Sequence, residues 1–212
     1  MAGRARVGTR RLAAGALLLT VVVFGLGAAV IALKLQPAAV PTTAIDRNVE
    51  QWKRAVIADP QSDVARINLG LALVDAGRTD QARDSFEDAL ELNAESWMAM
   101  FQLGLLEASE NPAGALELLQ RSASAAPPGN RAVVMIAQGD LLMRSGDPEA
   151  AATAFASAIA DTPFLIEAHV GLAEALEALG DEKGALEHYR EAARFDPSNQ
   201  EIAEAITSLT KD

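Results

Sequence analysis

A chain of 212 residues that is half apolar but only 4% aromatic must assemble its core from Ala, Leu and Val, which suits closely packed helices rather than a sheet sandwich. With no cysteine, disulfides, thiolate chemistry and Cys-ligated metals are excluded. The formal charge of −11 is uneven: Arg4, Arg6, Arg10, Arg11 and Lys34 stand in a first segment of 36 residues without acid, and the remainder sets 13 basic against 29 acidic groups, a balance that repels phosphate backbones and excludes nucleic acid as a partner.

Residues 1–11 form a basic leader, and the 22 residues from Leu12 to Leu33 carry no charge. At about 1.5 Å per residue they reach roughly 33 Å, so a transmembrane helix is expected over 12–35. The apolar core of a cleaved signal peptide is shorter, about 7–15 residues. Four arginines before the span against one lysine after it predict a cytoplasmic N-terminus, a single pass through the cell membrane and everything from Gln36 onward outside the cytoplasm. Residues 36–44, with Pro37 and Pro41, read as a short extended linker. Over 45–61 a capping helix is expected, with Ile45, Val49, Trp52 and Val56 along one seam and Asp59-Pro60 as its stop.

From Ser62 the chain alternates between two kinds of amphipathic helix, expected near 63–76 and 79–92, 95–109 and 112–125, 130–144 and 148–160, and 164–179 and 182–194. Ile67, Leu71 and Val74 share one face of the first and Leu69 and Leu73 another, so this helix must bury two sides. A turn residue then precedes an alanine, an aromatic or Leu four positions on, and a small residue three beyond. The sets are Gly77, Ala82, Phe86 and Ala89; Asn111, Ala115, Leu119 and Ser122; Gly146, Ala151, Phe155 and Ala158; Gly180, Ala185, Tyr189 and Ala192. Pro127, Pro163 and Pro197 close three of these units, with Ala94 at the corresponding place in the first. The alanines are spaced by 33, 36 and 34 residues, and Pro127-Pro128-Gly129 sits in the longest step. After Pro197, Ser198 and Glu201 have the spacing of a capping box, and Ile202, Ala205, Ile206 and Leu209 supply one face of a terminal helix.

A period near 34 with this content, and with Leu69-Gly70 and Leu103-Gly104 early in the first helices, resembles the tetratricopeptide repeat family. The expected fold is all-α: the membrane helix, then over 62–212 an α-solenoid of about four helix pairs, preceded by a half repeat and closed by a capping helix. The resemblance implies an inner surface lined by the second, fifth, ninth and twelfth positions of each unit. These are Val64, Ile67, Leu71 and Val74; Met98, Phe101, Leu105 and Ala108; Val133, Ile136, Asp140 and Met143; and Glu167, Val170, Glu174 and Glu177. The first three sets are largely apolar and the last is acidic. They suit an apolar or amphipathic peptide, with methionines giving adaptable contacts and the acidic end favouring a basic flank. The same strip could instead be filled by the protein's own segment, such as the 45–58 helix, or be buried by tight superhelical winding. One subgroup of the family grips a C-terminal carboxylate with Lys, Asn and Arg here, but Ile67, Leu71, Gln102, Val133 and Ala137 offer no cation.

Two functions follow as expectations. One is a membrane-anchored scaffold that binds a protein partner outside the cytoplasm, as in c-type cytochrome biogenesis or the chaperoning of exported proteins. The other is a structural accessory subunit of a larger membrane protein complex. No catalytic, cofactor or metal constellation is expected: His169 and His188, the only histidines, fall in different helices of the last pair.

Overall fold

The computed structural model describes residues 43–211, and among them ten helices follow one another. They are α1 (Ala44–Ala58), α2 (Asp63–Asp75), α3 (Thr79–Leu92), α4 (Trp97–Glu107), α5 (Pro112–Ala125), α6 (Arg131–Arg144), α7 (Pro148–Asp161), α8 (Ile166–Ala178), α9 (Glu182–Phe195) and α10 (Gln200–Leu209). Each packs chiefly on its neighbours in sequence, giving four antiparallel pairs, α2/α3 to α8/α9, with α1 laid on α2 and α10 on α9. This is an all-α solenoid.

The joints inside the pairs follow from local chemistry. Gly77 takes φ +68°, so its N–H reaches the Val74 carbonyl at 2.9 Å and the Arg78 N–H reaches that of Leu73 at 2.8 Å. A side chain would oppose that left-handed turn. The second pair lacks a glycine there and turns through Ala108–Glu110, with the Asn111 N–H on the Glu107 carbonyl at 2.8 Å. The second helix of three pairs is then opened by one side chain: Asn111 accepts from the Gly114 N–H at 3.1 Å, Asp147 from Ala150 at 3.0 Å and Asp181 from Gly184 at 3.0 Å. Asp147→Ala leaves that N–H without its acceptor, and thermal or urea unfolding is expected to show a loss of about 1 kcal/mol.

Within the pairs and between them the core is built from the repeated alanine and aromatic positions. Ala82, Ala115, Ala151 and Ala185 are fully buried, letting backbones close in, and Phe86, Leu119, Phe155 and Tyr189 fill the space one turn on. Phe86 lies against Gly70, and Leu119 against Gly104 at 3.2 Å from where a Cβ would stand. Phe155 lies against two glycines, Gly139 of α6 and Gly171 of α8. At the place where the other units have Ala, Ser122 is buried and donates to the Trp97 carbonyl at 2.7 Å, tying the end of α5 to the start of α4. Ahead of the first pair, Val49 of α1 is fully buried with Ile67, Leu73 and Phe86, while Trp52 packs at the margin of that cluster. Of the expected α1 seam, Ile45 instead faces solvent.

Two expectations need correcting. Among the described residues no helix is long and apolar enough to cross a membrane. The longest, α1, has 15 residues, about 22 Å, short of the roughly 30 Å of a bilayer core, and it carries charges throughout. The stretch expected to span, 12–35, lies outside the described residues together with the leader and most of the linker. Among the described residues the fold is therefore the solenoid alone, and no helix there supports the single-pass placement with an extracytoplasmic repeat domain. The second correction is local: the capping box at Ser198 does not form. Ser198 donates to Asp196 at 2.7 Å, and Asn199 caps α10 by accepting from the N–H groups of Glu201 and Ile202 at 3.1 and 3.3 Å. An Asp-Pro-Ser turn offers Ser198 a nearer acceptor than the helix terminus does.

Candidate functional site

The strip expected to meet a partner lies on the first helix of each pair, and packing sorts its residues into three groups. Val64, Val74, Leu105 and Val133 stay 59%, 39%, 42% and 48% exposed, a large fraction for branched apolar side chains on well-packed helices. Leu71, Met98, Phe101, Ile136, Met143 and Val170 are half-buried, one side resting on the core clusters beneath them. Ile67 does not belong with them. It is 5% exposed and part of the first core cluster, because α1 covers the side of α2 from which it projects.

The acidic end is brought together from three helices. Asp140 of α6 and Glu174 and Glu177 of α8 are exposed, and Glu201 of α10 joins their field. Partial burial holds the Glu174 carboxyl above the ordinary range, and the neighbouring charges of Asp140, Glu177 and Glu201 push it the same way. Burial also raises Asp140, with Arg144 acting against it. Glu177 accepts from the Tyr189 hydroxyl at 2.7 Å, and burial followed by this hydrogen bond raises the phenol. Negative charge is thus crowded at an exposed end of the strip, a place that favours an incoming cation.

Sequence reasoning missed two parts of the molecule. Glu201 and Tyr189 belong to the acidic end, but periodicity marks Tyr189 only as core and Glu201 only as a capping residue. The other part is a cleft of about 640 Å³ between α5 and α7, floored by Met135 and Leu142 of α6, walled by Leu116 and Ala154 and edged by Gln120 and Ser157. Its signal in the sequence is the 36-residue step, whose Pro127-Pro128-Gly129 joint lies between α5 and α6. Among the described residues no group of three His, Cys, Asp or Glu is placed to hold a metal ion.

Comparison with known proteins agrees with the repeat geometry. A model of the tetratricopeptide repeat matches residues 67–130 and 136–200. No curated protein matches the sequence. Several solved structures share the fold. MamA from Desulfovibrio magneticus RS-1 superposes with a TM-score of 0.64 at 21% identity over 74% of this chain and 88% of its own. YrrB, a tetratricopeptide protein with an unusual peptide-binding site, gives 0.65 at 17% identity over 76% and 82%. PilW, a widely conserved type IV pilus biogenesis factor, gives 0.68 at 16% identity over 77% and 79%. At these identities the likeness establishes the architecture alone. Neither it nor the fold supports the expected part in c-type cytochrome biogenesis.

Proposed function

The chain belongs to the tetratricopeptide repeat family, and from that premise we propose that it is a protein-interaction scaffold whose first-helix strip docks an apolar or amphipathic peptide segment carrying a basic flank. The observation that carries this reading is the row of exposed Val64, Val74, Leu105 and Val133 leading toward Asp140, Glu174 and Glu177. Exposed apolar side chains repeated along one strip are what a groove for a peptide needs, and the half-buried Leu71, Phe101, Ile136 and Met143 give it a floor. The clustered carboxylates select the occupant: a lysine or arginine laid beside Glu174 offsets the repulsion it meets from Asp140, Glu177 and Glu201. The peptide-binding site of YrrB and the standing of PilW as a type IV pilus biogenesis factor lend support, as properties of proteins with the same architecture.

The test is selection of a peptide display library on the full chain. Recovered sequences are expected to combine apolar residues at helical or alternating spacing with flanking Lys or Arg, and their binding to weaken between 50 and 500 mM salt, concentrations chosen to bracket the range where screening removes exposed charge pairing. Recovery of acidic peptides, or of none above background, overturns the proposal and leaves the accessory-subunit reading, in which no groove is free.

A further inference from the structure

The two histidines lie apart from the strip and find each other. His169 of α8 and His188 of α9 stand with Nδ1 3.1 Å from Nδ1 and ring centroids 5.4 Å apart. The other nitrogen of His169, Nε2, lies 3.1 Å from the Pro163 carbonyl oxygen. A carbonyl accepts and never donates, so the hydrogen in that contact sits on His169 Nε2. A neutral imidazole has one such hydrogen, and His169 Nδ1 is therefore a lone pair. It follows that in the neutral pair His188 Nδ1–H donates across the 3.1 Å contact and His188 Nε2 is a lone pair. One added proton still leaves one N–H and one lone pair between the two Nδ1 atoms, so the contact stays intact. A second sets N–H against N–H between two cations in a half-buried joint.

We infer that the His169–His188 contact is a proton-sensitive latch between α8 and α9, closed while the pair holds at most one added proton and opened when acid drives both rings to the cationic form. Its surroundings are simple. Glu187 and Glu191 on α9 favour charge on His188, and Glu191 is engaged by Arg194 at 2.8 Å. From α8 comes His169, and α10 contributes none of the charges that act on His188. On the side of His169 stands Phe195, 6.3 Å away between ring centroids, itself in edge contact with Phe164 at 5.7 Å. Among the described residues no third His, Cys, Asp or Glu completes a metal-binding group with the pair.

Burial first, and the neighbouring His169 second, lower the affinity of His188 for a proton below the ordinary value near 6.5, with Glu187 and Glu191 opposing. The unfolded chain then binds more protons than the folded one as the pH falls through 6.5. Stability rises with pH across that window, is fully present above it, and is lost on acidification down to the lowered folded value.

Imidazole nitrogen NMR on the full chain decides the matter. The expected spectrum at pH 7.5 shows His169 as the Nε2–H tautomer and His188 as Nδ1–H, and between pH 7 and 5 amide protection is lost in α8 and α9 before α3 and α4. The opposite tautomer at His169, or two rings that reach the cationic state independently with α8 and α9 still protected, overturns the latch. A second measurement compares melting temperatures at pH 7.5 and 5.5. The wild type is expected to lose about 2–4 °C more than His188→Gln, and equal losses overturn the inference. Should His188→Gln not fold, the wild-type tautomers decide alone.

Discussion

Phe155→Ala is expected to remove about 3–5 kcal/mol of stability and to divide a single unfolding transition into two. The ring is 1% exposed and belongs to α7, yet it faces glycine on both flanking first helices, Gly139 of α6 and Gly171 of α8. A glycine has no side chain with which to refill a cavity, so the void left by the ring persists and the full cavity cost is felt. In a chain of stacked pairs stability is a sum of units and the contacts between neighbours. Phe155 holds the third pair to the fourth, so its loss uncouples α8–α10 from the rest. Phe86→Ala makes the contrast. Phe86 meets one glycine, Gly70, and shares its cluster with Val49 of α1, and its removal is expected to release the first pair and α1 while α6–α9 stay folded. Urea titration followed by hydrogen exchange reports both, and a single unshifted transition in Phe155→Ala would contradict this account of the joint.

The second large effect is on binding. Leu105→Glu combined with Val133→Glu is expected to weaken the selected peptide about 100-fold or more while leaving the melting temperature within a degree or two. Covering the exposed half of each side chain contributes about 1 kcal/mol and a carboxylate left unpaired beneath the ligand costs about 1–3 kcal/mol more, so the two sites together correspond to two or more decades of affinity. Both side chains already face solvent at 42% and 48%, so a carboxylate there stays hydrated in the free protein and costs little. Ile67→Glu is the control that separates docking from packing. Ile67 is in the core beside Val49 and Phe86, and a carboxylate there should unfold the first pair. Isothermal titration and thermal melts on the three proteins distinguish the cases, and a double variant that binds like the wild type removes Leu105 and Val133 from the site.

Much of this architecture is readable in the residues themselves, because turn and spacing are local. Gly77, Gly146 and Gly180 mark the ends of first helices where the backbone takes positive φ, Asn111 and Asp181 mark the starts of second helices, and the buried Ala and aromatic positions recur in phase. The places where reading failed are those where two near-equal local options compete or a distant element intervenes. Ser198 and Asn199 both could have capped α10, and the Asp196 carboxylate decided between them. Ile67 shares its helical face with Leu71 and Val74, and the helix expected over 45–58 as one possible filling of that strip buries Ile67 while leaving Val74 exposed, a division that periodicity does not reveal.

Local pattern, then, carried the repeat, the order of the helices and the alanines that let them nest, since each depends on residues within a turn or two of one another. Long-range packing chose what the pattern leaves open: which apolar side chains remain at the surface, that Phe155 is shared by two glycines 32 positions apart, that Asp140, Glu174 and Glu201 gather from three helices, and that two histidines 19 residues apart stand within 3.1 Å at their Nδ1 atoms. Those choices belong to the stacked helices because burial and electrostatic fields act through space, between side chains that the linear order keeps apart.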